Sequence, residues 1–264
     1  MTHRALLALA FLAVSGCTGA TEPRDYRLVW EDDFTGAAGT LPNPANWGFD
    51  IGTDWGNAQL EYDTNRPENA QLDGAGHLRI IARQESWLGR NYTSARMTTA
   101  GKREFQYGRF EARLKVPTGQ GLWPAFWLLG ADIGTVGWPQ TGEIDIMEAR
   151  GQEPTVNHGS LHGPGYSGGG ALTRRYTLTS GRFDTEFHTY RVDWSASKIS
   201  WYVDGNLYHE VNKGDQPGAW VYDHTFYIIL NVAVGGGFVG APNGATTFPQ
   251  EMVVDWVRVS QAAP

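Results

Sequence analysis

The 264-residue chain has a single cysteine, no basic run and, after residue 25, no sustained helical apolar period. Each scarcity removes a class of protein. One cysteine excludes an internal disulfide. With 21 Lys and Arg against 28 Asp and Glu the formal net charge is -7, and the few cations are scattered. That excludes a nucleic-acid partner, because phosphate recognition needs concentrated Lys and Arg. The longest apolar run, inside "MTHRALLALAFLAVSGCTGA", is about ten residues and too short to span a bilayer.

What the chain does hold is aromatic and turn-rich: 11 Trp, 11 Tyr, 11 Phe, 34 Gly and 13 Pro. That mixture favours many short strands joined by tight turns. Aromatic enrichment without basic clustering suits a neutral, polar ligand whose faces stack on indole rings, as sugars do.

The N-terminal run follows Arg4 and fits a secretory signal. It ends in Val14-Ser15-Gly16-Cys17, which resembles a bacterial lipobox. Residues 1–16 are therefore expected to be a lipoprotein-type signal peptide and Cys17 the lipidated new N-terminus, with Thr18 compatible with outer-membrane sorting. An ordinary cleaved secretory signal is the alternative. Residues 17–25, small and polar, read as a tether. Residues 26–262 contain no further linker and read as one domain, expected to be an exported monomer whose only membrane contact is lipid.

Strand candidates recur along this domain: "LRIIAR", "YGRFEARLKV", "LWPAFWLLG", "EIDIMEA", "HTYRVDWS", "KISWYVDG", "NLYHEV", "FYIILNVAV" and "MVVDWVRVS". Asp204-Gly205 joins two of them, and both residues tolerate the positive φ of a type I′ hairpin turn. An antiparallel meander of this kind implies two packed sheets. "GPGYSGGG" at 163–170 reads as a flexible loop.

"GEIDIMEARG" carries the chemistry. In a regular strand Glu143 and Asp145 share one face, while Glu148 falls on the other, among Ile144 and Ile146. An unpaired carboxylate there costs several kcal/mol, on the order of a buried charge without a partner. A β-bulge around Ile146-Met147 resolves the conflict by returning Glu148 to the face of Glu143 and Asp145. Three acids in a row cannot all ionise freely, so their pKa values are pushed apart and one becomes a proton donor. One ionised and one protonated carboxyl flanking a bond are what glycosidic hydrolysis requires; spacing alone leaves retention and inversion open.

This stretch resembles the catalytic signature of glycoside hydrolase family 16, and "LVWEDDF", "TSARMTT", "YGRFEARLKVP", "LWPAFWLLG", "SWYVDG", "LNVAVGG" and "DWVRV" extend the resemblance in order over residues 26–260. The resemblance implies an all-β jelly-roll sandwich of two antiparallel sheets with a concave substrate cleft, and a retaining mechanism. It makes Glu143 the nucleophile, Glu148 the acid/base and Asp145 the acid that orients Glu143. The additional Met147 resembles the bulged, laminarinase-like endo-1,3-β-glucanase branch, which also holds agarases and carrageenases; mixed-linkage lichenases resemble the shorter form. Three alternatives follow: an agar or carrageenan hydrolase, a mixed-linkage β-glucan hydrolase, or a non-catalytic glucan-binding protein. The last commonly lacks one or both glutamates that are present here. The partly sulfated substrates call for extra cations, of which only Arg174-Arg175 stand out after Glu148.

Trp123 and Trp127 share a strand face that on sequence alone is either core or cleft; the resemblance places them in the cleft. It likewise assigns Asn57, Arg96, Trp138, His162 and Asn231 to substrate binding, Asn231 at the start of a loop. There Gly237-Phe238-Val239-Gly240 replaces the family's Asn-aromatic-Pro-Gly. His158 and His162 have zinc-like spacing only on a helix, and the context is a strand. No cofactor is expected for catalysis. Asp33, Gly76 and Asp255 match the positions of a structural calcium in many relatives, and hard oxygen ligands suit that ion.

Overall fold

The computed structural model describes residues 25–263. The expected signal peptide, the lipidation site Cys17 and all but the last residue of the tether lie outside the described residues. Among those described, the chain is almost entirely strand, with helix confined to one turn at Ile133–Val136 and a 3-10 turn at Gly168–Gly170.

Two sheets face each other. One runs in the order Leu172–Thr177, Val156–His162, Glu143–Glu148, Leu122–Gly130, Phe226–Val234, Arg96–Thr98 and Gly48–Phe49. The other is centred on Gly108–Lys115, which pairs antiparallel with His188–Trp194 on one side and Gln250–Ala262 on the other. Tyr26–Asp32 pairs antiparallel with Gln250–Ala262, so the two ends of the domain lie together. This is the expected jelly-roll sandwich.

Alternation builds the core. Along Gly108–Lys115 the residues Phe110, Ala112 and Leu114 are fully buried while Arg109, Glu111 and Arg113 face outward. Phe126, Leu128, Ile144, Ile228 and Leu230 answer from the facing sheet. Every strand candidate named from the sequence is a strand here. The Asp204-Gly205 turn has φ of 49° and 78°, as a type I′ hairpin requires, and it joins Val203 to Asn206 in register.

Two expectations need correction. Asn231 does not begin a loop: it lies inside the nine-residue strand Phe226–Val234, paired with Ala125 and Arg96. The strand is covered on both faces, so its buried pattern is continuous and gives no visible end before Gly235. The 163–170 segment is a loop, but it is pinned at its centre. Tyr166 is fully buried and its hydroxyl donates to the Ala219 carbonyl at 2.7 Å.

Candidate active site

The bulge forms as the sequence requires. Against Leu122–Gly130 the register steps from Phe126 opposite Met147 to Trp127 opposite Asp145, so Ile146 is the residue without a partner. The resemblance marks Met147 as additional; in the ladder the interruption falls one residue earlier. On the other side Asp145 pairs with Ser160 and Glu148 with His158, leaving Gly159 alone opposite Ile146 and Met147. Both of those side chains enter the core, and Glu143, Asp145 and Glu148 share the cleft face.

The bulge is braced from the second sheet. Trp201 sends its indole N–H to the Asp145 carbonyl at 2.8 Å. Gly159 permits this approach, because a Cβ there would stand 2.8 Å from the Trp201 ring and 2.3 Å from the Tyr208 hydroxyl.

Each acid has its own neighbours. Glu143 Oε2 accepts the Trp138 indole N–H at 2.9 Å, and Glu148 Oε1 accepts that of Trp123 at 2.9 Å. His162 Nε2 stands 2.9 Å from Asp145 Oδ2 and 3.8 Å from Glu143 Oε1. Trp138 is 46% exposed and its ring lies 6.0 Å from that of His162, so an open indole roofs this end of the row.

Burial, reinforced by the charge of Glu143, pushes the Glu148 carboxyl up to about 7, while His162 and the Trp123 N–H pull the other way. Burial first, then the charges of Glu143 and Glu148, hold Asp145 well above the usual carboxylate range. For His162 burial opposes the charged ring, but Asp145 and the two glutamates overcome it and raise the imidazole to about 9. A fully protonated ring would lose the hydrogen bond that the Gly168 N–H donates to Nδ1 at 3.1 Å. That backbone amide is therefore a counterweight to the carboxylates. In either state Nε2, 2.9 Å from Asp145 Oδ2, carries a proton.

The donor atoms of Glu143, Asp145 and His162 lie within 4.8 Å of one another, a set that could hold a metal ion. Within that set His162 Nε2 already stands 2.9 Å from Asp145 Oδ2 and 3.8 Å from Glu143 Oε1. His158 and His162 make no zinc pair: they pair with opposite ends of the catalytic strand, His158 beside Glu148 and His162 beside Glu143.

The remaining expected residues are described by the contacts they make. Trp127 donates its indole N–H to Asn231 Oδ1 at 2.8 Å. Arg96 is held by Asp50 through Nε at 3.0 Å, and its guanidinium lies 4.8 Å from the ring centres of both Trp127 and Trp55. Asn57 is exposed, and its carbonyl accepts the Gly237 N–H at 3.0 Å, which fastens the loop after Phe226–Val234 beside Trp123.

That loop supplies a residue to which sequence reasoning gave no role. Phe238 packs 5.1 Å from the Trp123 ring and 5.2 Å from His158, with the Arg150 guanidinium 4.3 Å over its face. Gln120 and Gln152 both donate to the Val239 carbonyl, at 2.6 and 3.0 Å. Trp55 was also unassigned, although its place in "DWGNAQLEYDT" beside Asn57 was a usable clue.

The calcium candidates lie far from these residues in the fold. The Asp33 carbonyl oxygen is 3.8 Å from where a Cβ on Gly76 would stand, so those two backbones meet. Asp255 binds Arg113 through Oδ2 and turns Oδ1 toward His77 Nε2 at 4.0 Å. The Asp33 and Gly76 backbones thus approach one another, while the two Asp255 oxygens face Arg113 and His77.

The family model for glycosyl hydrolases family 16 matches residues 52–258. The chain belongs to that family. It is 41% identical over 245 residues to a β-glucanase of Rhodothermus marinus, a match that covers 89% of this chain and 85% of that protein. Its fold superposes with a TM-score of 0.86 on the laminarinase catalytic domain of Thermotoga maritima, at 44% identity over 91% of this chain and 100% of that one. An endo-β-1,3-glucanase of Pyrococcus furiosus gives 0.85 at 46% identity, covering 90% of this chain and 95% of that one.

Proposed function

We propose that this family 16 chain is a retaining, endo-acting hydrolase of β-1,3-glucans of the laminarin type. The observation that carries the reading is the Glu143, Asp145, Glu148 row on one bulged strand, each acid in a different electrostatic setting. The similar β-glucanase and laminarinases supply the substrate class.

In the first step a Glu143 oxygen attacks the anomeric carbon while Glu148 gives its proton to the glycosidic oxygen. The C–O bond breaks, the aglycone leaves as an alcohol and a glycosyl ester forms on Glu143. Glu148, now ionised, takes a proton from water, which attacks the same carbon and releases Glu143. A Glu148 carboxyl raised to about 7 is present in both its protonated and ionised forms in neutral solution and can be recharged each turnover. Asp145 and His162 hold a proton beside Glu143, which supports a role for both in orienting it and tempering its charge.

Two of the cations after Glu148 are engaged within the protein, which supports a neutral substrate over a sulfated one, while Arg174 stays exposed. Arg150 covers Phe238, and Arg175 reaches Glu153 at 3.5 Å. The reading extends to lipidation at Cys17 with the domain exported as a monomer, and to a structural calcium at Asp33, Gly76 and Asp255 that takes no part in the reaction.

The test is to incubate the mature protein separately with laminarin, barley mixed-linkage glucan, agarose and κ-carrageenan, size the products, and follow the first-formed anomer by NMR. Oligosaccharides released from laminarin with the β configuration are expected. Products from agarose or carrageenan alone would overturn the substrate, and an initial α anomer would overturn the mechanism.

A further inference from the structure

The strand beside the catalytic one carries a buried hydroxyl that the glucanase chemistry above leaves without a part. Ser160, 3% exposed, is the register partner of Asp145 on one side and of Thr173 on the other. Residues directly opposite one another in a ladder share a face, so Ser160 and Thr173 extend the cleft-facing row to which Asp145 belongs. Glu148 pairs with His158, two residues away on the strand of Ser160, which makes Ser160 its diagonal neighbour and puts it within reach of a glutamate side chain. The Thr173 hydroxyl donates to Ser160 Oγ at 2.9 Å, and the Ser160 hydroxyl hydrogen-bonds the Glu148 carboxyl.

A buried hydroxyl is a poor choice where alanine would fill nearly the same space, unless it has a partner to serve. Ser160 has two. Its oxygen accepts from Thr173, so its own O–H is turned to the carboxyl, and a hydroxyl that accepts one hydrogen bond donates the next more strongly. Glu148 is thereby held from the strands on both sides of it. Trp123, on Leu122–Gly130, reaches Oε1 at 2.9 Å, and Ser160 approaches from Val156–His162.

We propose that Ser160 is a positioning residue for the Glu148 acid/base and that Thr173, on the strand two places from the catalytic one, sets the direction of its hydroxyl. The inference rests on the β-1,3-glucanase reading for its reaction. When Glu148 passes its proton to the glycosidic oxygen, the carboxylate left behind accepts the Ser160 hydroxyl more strongly than the neutral acid did. Neither hydroxyl gives up its proton; the pair stabilises the charge that appears on Glu148 and keeps its carboxyl turned to the bond. The titratable groups around Glu148 are Glu143 and Asp145 on its own strand, His158 and His162 on the next, Arg175 beyond His158, and Tyr208 from the facing sheet. The substitutions below leave all of them in place.

The test compares two substrates that differ in their need for an acid: laminarin, whose leaving alcohol must be protonated, and the dinitrophenyl β-glycoside of laminaribiose, whose leaving phenolate needs no proton. On both, kcat/KM reads formation of the glycosyl-enzyme. In Ser160→Ala it is expected to fall about tenfold on laminarin and to stay within about twofold on the aryl glycoside, as for the loss of one hydrogen bond to a charged group. The alkaline limb on laminarin should move upward, because a carboxylate that loses a donor holds its proton longer. Thr173→Val should show the same pattern at about threefold, and Ser160→Thr, which keeps the hydroxyl, should recover most of the loss. Equal losses on the two substrates, or an unchanged laminarin rate in both Ser160→Ala and Thr173→Val, would overturn the assignment. Wild-type protein inactive on both substrates would overturn the glucanase reading and the inference with it. Should Ser160→Ala fail to fold, Thr173→Val against Thr173→Ser decides.

Discussion

Trp123 donates its indole N–H to Glu148 Oε1 at 2.9 Å, and with the Ser160 hydroxyl it supports the ionised form of the proposed acid/base. A hydrogen bond to a carboxylate favours its ionised form, and this one lowers a carboxyl that burial has raised to about 7. In Trp123→Phe the proton should therefore be held to higher pH. The alkaline limb of kcat/KM, expected near 7 in the parent, should move upward by somewhat under one unit, the worth of about 1 kcal/mol. A pH-rate profile checks this. A limb that stays in place or moves down would show that the indole does not set the Glu148 titration.

Phe238 touches Trp123, His158 and Arg150, and its ring keeps Trp123 in line with Glu148. Phe238→Ala is expected to lower kcat on laminarin several-fold and to cost about 1–2 kcal/mol of stability, below the cost of truncating a fully buried Phe. Phe238→Leu should recover most of the stability and little of the rate. Denaturant unfolding and steady-state kinetics separate the two effects, and full kinetic recovery in Phe238→Leu would reduce Phe238 to a space-filler.

The catalytic row was legible in the sequence because placing Glu148 among Ile144 and Ile146 is physically untenable, which forces the bulge. The sandwich was legible because period-two strands and an Asp-Gly turn leave few other arrangements. The cleft wall was harder to read. Trp127 and Asn231 meet across paired strands, and Arg96 meets Trp55 from a segment 41 residues earlier in the chain; such meetings depend on strand order, which periodicity does not encode. Asn231 was placed at a loop because a strand covered on both faces carries no alternation to mark its end. Phe238 went unassigned because its loop departs from the family pattern, and only the packing against Trp123 shows what replaced it.

The calcium proposal gives a direct stability test. With Asp33 and Gly76 brought together and Asp255 Oδ1 turned toward His77 and away from Arg113, calcium that binds the folded chain should raise Tm progressively with its concentration. EDTA should lower Tm by a few degrees, and Asp255→Asn should abolish the difference between calcium and EDTA. A Tm indifferent to both in the parent would remove the site.

Glu61 provides the last prediction. Its side chain is fully buried; Oε2 accepts the Val234 N–H at 2.7 Å, while Oε1 has no partner among the described residues. Burial, and then the charge of Asp63, raise its pKa well above the ordinary value. The folded protein therefore keeps a proton that the unfolded chain releases above about pH 4.3. By linkage, stability from this group falls as pH rises from there toward the folded pKa, by up to ~1.4 kcal/mol per unit. Glu61→Gln cannot ionise, retains an oxygen for Val234 and offers an amide where Oε1 now stands alone. The variant should match the parent near pH 4 and exceed it by about 1–3 kcal/mol at pH 7.5, since one buried carboxylate is relieved. Urea unfolding at the two pH values measures the gap. A gap that does not change with pH would mean that Glu61 titrates alike in the folded and unfolded chains.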